Sequence, residues 1–131
     1  MAALRRYLGA PFHHLGRSIY GIDCAGLIVV GALDCGFRFS DVPPYRRRGM
    51  TDMVPLVAER MVPRGGPALG AVVLFRLPRV RPNEAHHGAI VTDRGIIHAT
   101  EEVGRVVEVT FGGPWPDLVH SYWDYRELAG T

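Results

Sequence analysis

Cys24 is the residue of this chain whose type and position best suit nucleophilic chemistry. It lies in the segment GIDCAGL, residues 21–27, directly after Asp23, and aspartate is a favoured N-cap of helices. A thiol in the first turn of a helix faces unpaired backbone N–H groups and the positive end of the helix dipole. Both favour the reactive thiolate, and the same N–H groups could stabilise an oxyanion on an attacked carbonyl. Taken alone, a cysteine in an apolar helix is more often a core residue.

His86 and His98 could supply the imidazoles that such a cysteine needs. Acyl transfer by a cysteine requires a general base and a polar group that orients the base. His86 opens one predicted strand and His98 ends the next, and a tight turn at residues 93–94 would pair the two strands. Base and orienter would then lie side by side on one rim. The alternative is a metal site made of Cys24, His86 and His98, although these residues lack the close paired spacing of structural zinc sites.

The elements that position these residues are predicted from periodicity. In residues 23–35, apolar side chains would occupy almost every face of a helix, and the segment is longer than an ordinary strand. This pattern predicts a buried helix that ends at Gly36. Capping residues predict a second helix from Thr51 to about Met61, followed by a loop at 63–67. Alternating patterns predict strands at 71–77, 86–92, 95–99 and 103–111, and a last strand or helical turn at 120–128. Helices followed by an antiparallel meander predict an α+β domain.

Size and composition restrict the class of protein. The chain has 131 residues, of which 47% are hydrophobic and 21% charged, and this suits one globular domain over residues 1–131. Its longest apolar stretch is about half the roughly 20 residues of a membrane span. The net charge of +2 is too small for a committed nucleic-acid binder, so we expect neither a membrane nor a nucleic acid as partner. The first ten residues lack the apolar core of a secretory signal, so export by the ordinary route is not expected.

The chain has two cysteines, Cys24 and Cys35. On one helix their Cα atoms would be roughly 16 Å apart, well beyond the reach of a disulfide. Cys24 is therefore expected to be a free thiol, and Cys35 is expected in the core.

Five motifs in order resemble the NlpC-type cysteine peptidases. Residues 23–27 (DCAGL) resemble the D-C-S-G-L signature, and residues 9–16 (GAPFHHLG) are similar to G-x-P-Y-x-W-G-G. Downstream, residues 69–75 (LGAVVLF) resemble the P-G-D-L-V-F-F strand. Residues 86–90 (HHGAI) resemble H-V-G-I-Y, and residues 97–99 resemble the closing I-H-A. Each motif alone is weak, but together they cover most of residues 4–128.

The resemblance implies a papain-like α+β fold with the nucleophile helix packed on an antiparallel β-sheet. It makes Cys24 the nucleophile, His86 the base and His98 the third polar residue, with no metal or cofactor. The family cleaves peptidoglycan stem peptides, typically between D-γ-glutamate and a diamino acid. Its base precedes x-Gly, which selects His86, and alternation along a strand would place His87 on the far face or in solvent.

Several positions depart from the family pattern. The tyrosine before the cysteine is Phe12, so the oxyanion site could rest on backbone N–H groups or on Tyr7 or Tyr20. The tryptophan is His14, which is a substrate-binding candidate together with Phe12. His13 and His14 flank the expected cleft, and a solvated loop is the alternative for both. Asp23 could meet a free amine of a stem peptide, and its simpler role is the helix cap.

Other conspicuous residues have structural explanations. We expect His120 outside the chemistry and Trp115, between two prolines, as the anchor of its loop. The run Arg46 to Arg48 could contact carboxylates of the cell wall or lie in a solvated loop.

The segment 106–128 resembles the peptidases of phage tails and phage-like gene transfer particles. This suggests a bare catalytic domain that opens peptidoglycan at a tail tip during DNA delivery. The expected partners are tail hub or tip proteins, and the expected location is the tail tip of a virion or phage-like particle, acting in the periplasm or cell wall. The alternatives are a structural tail component whose catalytic site has decayed and an injected effector amidase.

Overall fold

The computed structural model describes residues 2–46, 51–77, 81 and 83–129. The helices are α1 (Ala2–Arg5), α2 (Cys24–Asp34) and α3 (Val54–Ala58). The strands are β1 (Arg17–Ser18), β2 (Gly21–Ile22), β3 (Met61–Arg64), β4 (Val72–Phe75), β5 (His87–Thr92), β6 (Gly95–Thr100), β7 (Arg105–Val109) and β8 (Val119–Tyr125). A 3₁₀ turn, Pro116–Leu118, precedes β8.

Helix α2 is the central helix, as its all-round apolar sequence predicts. Asp23 is its N-cap and accepts a hydrogen bond from the Gly26 N–H, and Cys35 is its C-cap. Gly36 follows in the left-handed region at φ +78°, which glycine adopts without steric cost. The helix begins and ends where the capping residues predict, so Cys24 is its first residue.

The six-stranded sheet is antiparallel and has the order β3-β8-β4-β5-β6-β7. Strands β4 to β7 form the expected meander, and β8 returns between β3 and β4. Ile28 of α2 lies against Gly88, where an added Cβ would come within 2.9 Å of its Cδ1 atom. Helix α2 therefore packs directly on β5, and the prediction of an α+β domain with this helix on an antiparallel sheet is confirmed.

The sheet buries apolar side chains on both faces. Its helix-facing side contributes Val72, Leu74, Ile90 and Ile97 to the main core. The opposite side buries a smaller cluster of Val73, Phe75, Ala89 and Ile96, which Phe111 and Trp115 help to cover. Trp115 packs on Phe75 with ring centroids 4.9 Å apart, so it anchors its loop as expected.

Three local predictions are corrected. Helix α3 is shorter than expected, and residues from Met61 onward form the edge strand β3 instead of a helix end and a loop. That strand exists because β8 offers it a backbone partner, a long-range pairing that local pattern does not reveal. Cys35 is exposed and not in the core, because it lies at the C-terminal end of α2.

No helix among the described residues is long and apolar enough to cross a membrane. Of the arginine run, Arg46 is described and residues 47–48 lie outside the described residues.

Candidate active site

A cavity of about 610 Å³ opens beside the N-terminus of α2. Cys24 lines this cavity together with three histidines. These are His86 in the loop before β5, His87 in β5 and His98 in β6. Its wall also includes Phe12, His14, Asp23, Tyr45 and Trp115. The fold thus brings the predicted nucleophile, base and third residue to one cavity.

The Cys24 thiol is partly buried and free of any disulfide. Burial raises its pKa to about 12, and the negative charge of Asp23 adds to the rise. Hydrogen bonds from the backbone N–H groups of Gly88 and Ala25 act in the opposite direction. The backbone donors at the start of α2 favour the thiolate, as expected, but desolvation outweighs them, so the resting Cys24 is a thiol. A proton acceptor has to take the thiol proton during attack.

The Asp23 carboxylate is buried and bonded on both oxygens. It accepts hydrogen bonds from the backbone N–H of Gly26 at 2.8 Å and of Leu15 at 2.8 Å. The Arg17 guanidinium donates to it at 3.0 Å, and the Tyr45 hydroxyl donates to its other oxygen. Asp23 is thus the helix cap, and it also fixes two loops to the start of the nucleophile helix. A contact between Asp23 and a substrate amine stays a prediction.

Tyr45 is the site residue that the sequence did not indicate. Its ring lines the cavity and meets His14 edge-on, with centroids 5.4 Å apart, and burial raises its pKa. The two tyrosines suggested from the sequence lie elsewhere: Tyr7 bonds to Asp34 near the far end of α2, and Tyr20 is 85% exposed. Tyr45 stands in an irregular loop with no periodic pattern, so only the fold reveals its hydrogen bond to Asp23.

His86 is held by a carboxylate that precedes it in the chain. Its Nε2 atom lies 3.1 Å from Glu84 Oε1, and its side chain is 2% exposed. Its Nδ1 atom is buried and has no hydrogen-bond partner among the residues that the structure describes. The His86 N–H donates to the Phe75 carbonyl, although Phe75 already pairs with His87. His86 directly precedes β5, so the alternation of the strand does not fix its side-chain direction.

His98 bonds to His87 and not to His86. His87 Nε2 and His98 Nδ1 are 2.8 Å apart, and the Trp115 ring lies 5.1 Å from His98. The pairing of Ile90 with Ile97 places Ala89 across from His98, so His87 and His98 are diagonal neighbours on the face away from α2. The far-face position expected for His87 is confirmed. His86 and His98 line the same cavity, but no hydrogen bond joins them among the described residues: Glu84 lies at His86 Nε2, and His86 Nδ1 has no partner.

The His87–His98 pair is electrically neutral in this environment. Burial and the neighbouring imidazole lower the pKa of His87, and burial lowers the pKa of His98 to about 4. A base works best when its pKa lies near the working pH, so His87 is poorly suited to accept a proton from Cys24. This leaves His86 as the better candidate for the base.

His120, which the sequence also singled out, lies apart from these groups. His120 bonds to Ser121 and to the Asn83 carbonyl and does not line the cavity. Within the described part of the chain, no three His, Cys, Asp or Glu residues are grouped so that they could hold a metal ion.

No family model and no curated protein matches the chain in sequence. Solved structures do match its fold. An NlpC/P60 family protein from Bacillus cereus superposes with a TM-score of 0.74 at 19% identity, over 95% of this chain and 38% of that one. The NlpC/p60 domain of the peptidoglycan hydrolase SagA matches with a TM-score of 0.62 at 19% identity, over 94% of this chain and 93% of that one.

A third match is a lipoprotein-like NLP/P60 family protein from Staphylococcus aureus, with a TM-score of 0.68 at 17% identity. It covers 95% of this chain, which spans 39% of the length of that one. The chain thus has the fold of NlpC/P60 proteins, which confirms the fold expected from its five motifs. The Bacillus and Staphylococcus chains are more than twice as long as this one.

Proposed function

We propose that this protein is a cysteine peptidase that hydrolyses peptidoglycan stem peptides. One observation carries the proposal: Cys24, the first residue of α2, lines the same cavity as His86, whose buried Nδ1 atom has no partner among the described residues. A nucleophile and an open proton acceptor at one cavity are what acyl transfer requires. The fold shared with the peptidoglycan hydrolase domain of SagA supports the choice of substrate class.

The reaction begins with attack of the Cys24 sulfur on the amide carbon. The S–C bond forms as the thiol proton passes to His86 Nδ1, and the carbonyl electron pair moves to oxygen. Backbone N–H groups at the start of α2 face this oxyanion. The imidazolium then gives its proton to the leaving amine as the C–N bond breaks. Water, deprotonated by His86, releases the acid from the thioester and restores the thiol.

The substrate is placed by the lining of the cavity. Phe12 and His14 lie on its wall, and we assign them to substrate contact. By the family resemblance, the bond cleaved is the one between D-γ-glutamate and a diamino acid. The same resemblance, at residues 106–128, supports a role as the wall peptidase of a phage tail or phage-like particle, bound to tail hub or tip proteins and acting at the cell wall.

The test is cleavage of defined stem peptides, followed by mass spectrometry. Cys24→Ala and His86→Leu should both lose cleavage, while Cys35→Ser and His120→Ala, which alter a thiol and an imidazole outside the cavity, should keep it. Thermal unfolding establishes that each variant is folded. Cleavage that survives in Cys24→Ala refutes the cysteine mechanism. In Cys24→Ala, loss of particle infectivity without loss of assembly would support the role as a tail peptidase. Unchanged infectivity would refute that role and favour a structural tail component.

A further inference from the structure

Glu84 is the one side chain that hydrogen-bonds to the His86 ring among the described residues. Its Oε1 atom lies 3.1 Å from His86 Nε2, and its side chain is 22% exposed. The family resemblance assigns the third position to His98, but His98 is occupied by His87 on the opposite face of the sheet. The group that orients the base has therefore to be sought elsewhere.

We propose that Glu84 is the positioning residue of this site, and that its carboxylate fixes His86 as the proton acceptor for Cys24. This inference rests on the role proposed above for His86. A carboxylate accepts hydrogen bonds and cannot donate them, so Nε2 must carry the proton of the neutral ring. The lone pair is then on Nδ1, the buried atom that lacks a partner among the described residues.

The carboxylate also stabilises the state that forms during reaction. When His86 takes the thiol proton it becomes an imidazolium, and a negative charge 3.1 Å from the opposite nitrogen favours that cation. The position of His86 adds a geometric reason, because it directly precedes β5 and the alternation of the strand does not fix the direction of its ring. The Glu84 carboxylate is the contact that holds this ring.

Among the described residues, the Glu84 carboxylate has one other close charged partner. Arg81 Nη1 lies 3.9 Å from Glu84 Oε2, and the Arg81 side chain is 82% exposed. An exposed ion pair of this length contributes little to stability. Arg81→Gln is therefore a matched control, since it alters the surroundings of Glu84 without touching the hydrogen bond to His86.

The first measurement is peptide cleavage by Glu84→Gln and Glu84→Leu. The glutamine side chain can still accept a hydrogen bond from Nε2–H but has no charge, so kcat should fall about tenfold. The leucine side chain has neither the hydrogen bond nor the charge, so kcat should fall roughly a hundredfold. KM should be unchanged in both, because Glu84 does not line the cavity, and Arg81→Gln should behave as wild type. Wild-type kcat in Glu84→Leu, or a loss in His98→Asn without a loss in the Glu84 variants, would overturn the proposal.

A second measurement needs no peptide and so separates this inference from the proposed function. In a Cys35→Ser background, the rate at which Cys24 reacts with an aromatic disulfide at pH 7 reports proton transfer to His86. Glu84→Leu should lower this rate to that of His86→Leu, and Glu84→Gln should lie between that rate and the wild-type rate. Equal rates in wild type and Glu84→Leu would refute the role of Glu84 even if peptides were cleaved. Equal rates in wild type and His86→Leu would refute the role of His86 as the proton acceptor for Cys24. The positioning role of Glu84 would then be refuted as well.

Discussion

Replacing His86 with leucine removes the imidazole that would accept the thiol proton. The reactivity of Cys24 then depends on the pKa that the fold gives to its thiol. With a pKa of about 12, roughly one Cys24 in ten thousand is a thiolate at pH 8. An ordinary free thiol is about a quarter ionised at that pH. The thiolate populations thus differ by a factor of about two thousand.

Intrinsic nucleophilicity partly offsets this difference. In thiol–disulfide exchange the rate constant of a thiolate rises with its pKa, with a Brønsted coefficient of about 0.4–0.5. A pKa difference of roughly 3.5 units therefore returns a factor of about 40 to Cys24. Cys24 in His86→Leu should react about fifty times more slowly than an ordinary exposed thiol.

The assay is reaction with an aromatic disulfide reagent, followed from pH 7 to 10. Cys35, which is exposed, serves as the reference thiol within the same molecule, and mass spectrometry of peptides tells the two sites apart. Restricted access to Cys24 would lower its reaction rate equally at every pH. The slope of the rate against pH therefore distinguishes a raised thiol pKa from restricted access. The rate at Cys24 should rise about tenfold per pH unit up to pH 10. A Cys24 rate that levels off below pH 9 would show that the helix N-terminus, and not burial, controls this thiol.

Three further predictions follow from the packing. Asp23→Ala should lower the free energy of unfolding by about 3 kcal/mol in urea denaturation, because it removes a helix cap and leaves buried donors unpaired. The control Asp41→Ala removes the exposed partner of Arg17 and should lower the free energy of unfolding by less than about 1 kcal/mol. The pKa values of His87 and His98 are lower in the folded protein than in the unfolded chain, so the unfolded chain binds more protons below pH 6.5. The contribution of these histidines to the free energy of unfolding is therefore complete above pH 6.5 and is lost as the pH falls toward 4. The free energy of unfolding should thus fall by more than about 1 kcal/mol per pH unit in this window, and a double asparagine variant that keeps the same steep dependence would contradict the assignment. Gly26→Ala should unfold the protein or displace the start of α2, since its Cβ would collide with a backbone carbonyl; a wild-type melting temperature would exclude that collision.

The fold could be predicted because its signals are local. Asp23 and Gly36 delimit α2 by capping chemistry, and the apolar run between them identifies a buried helix. The turn at residues 93–94 fixes the pairing of β5 with β6 in the same way. In contrast, strand β3 depends on β8, whose residues are about 60 positions away, and no local pattern predicts that pairing.

The site was predicted less completely than the fold, because motif spacing does not determine side-chain direction. The twelve-residue step from His86 to His98 matches the family pattern, and both residues line the cavity. Yet the two rings have different partners in the structure: His86, which directly precedes β5, bonds to Glu84, and His98 on β6 bonds to His87. A second histidine directly after the first supplies the partner that His98 takes, and it leaves His86 to Glu84. The double histidine, which from sequence requires only a choice of base, also determines the hydrogen-bond partner of His98, and motif spacing does not reveal that partner.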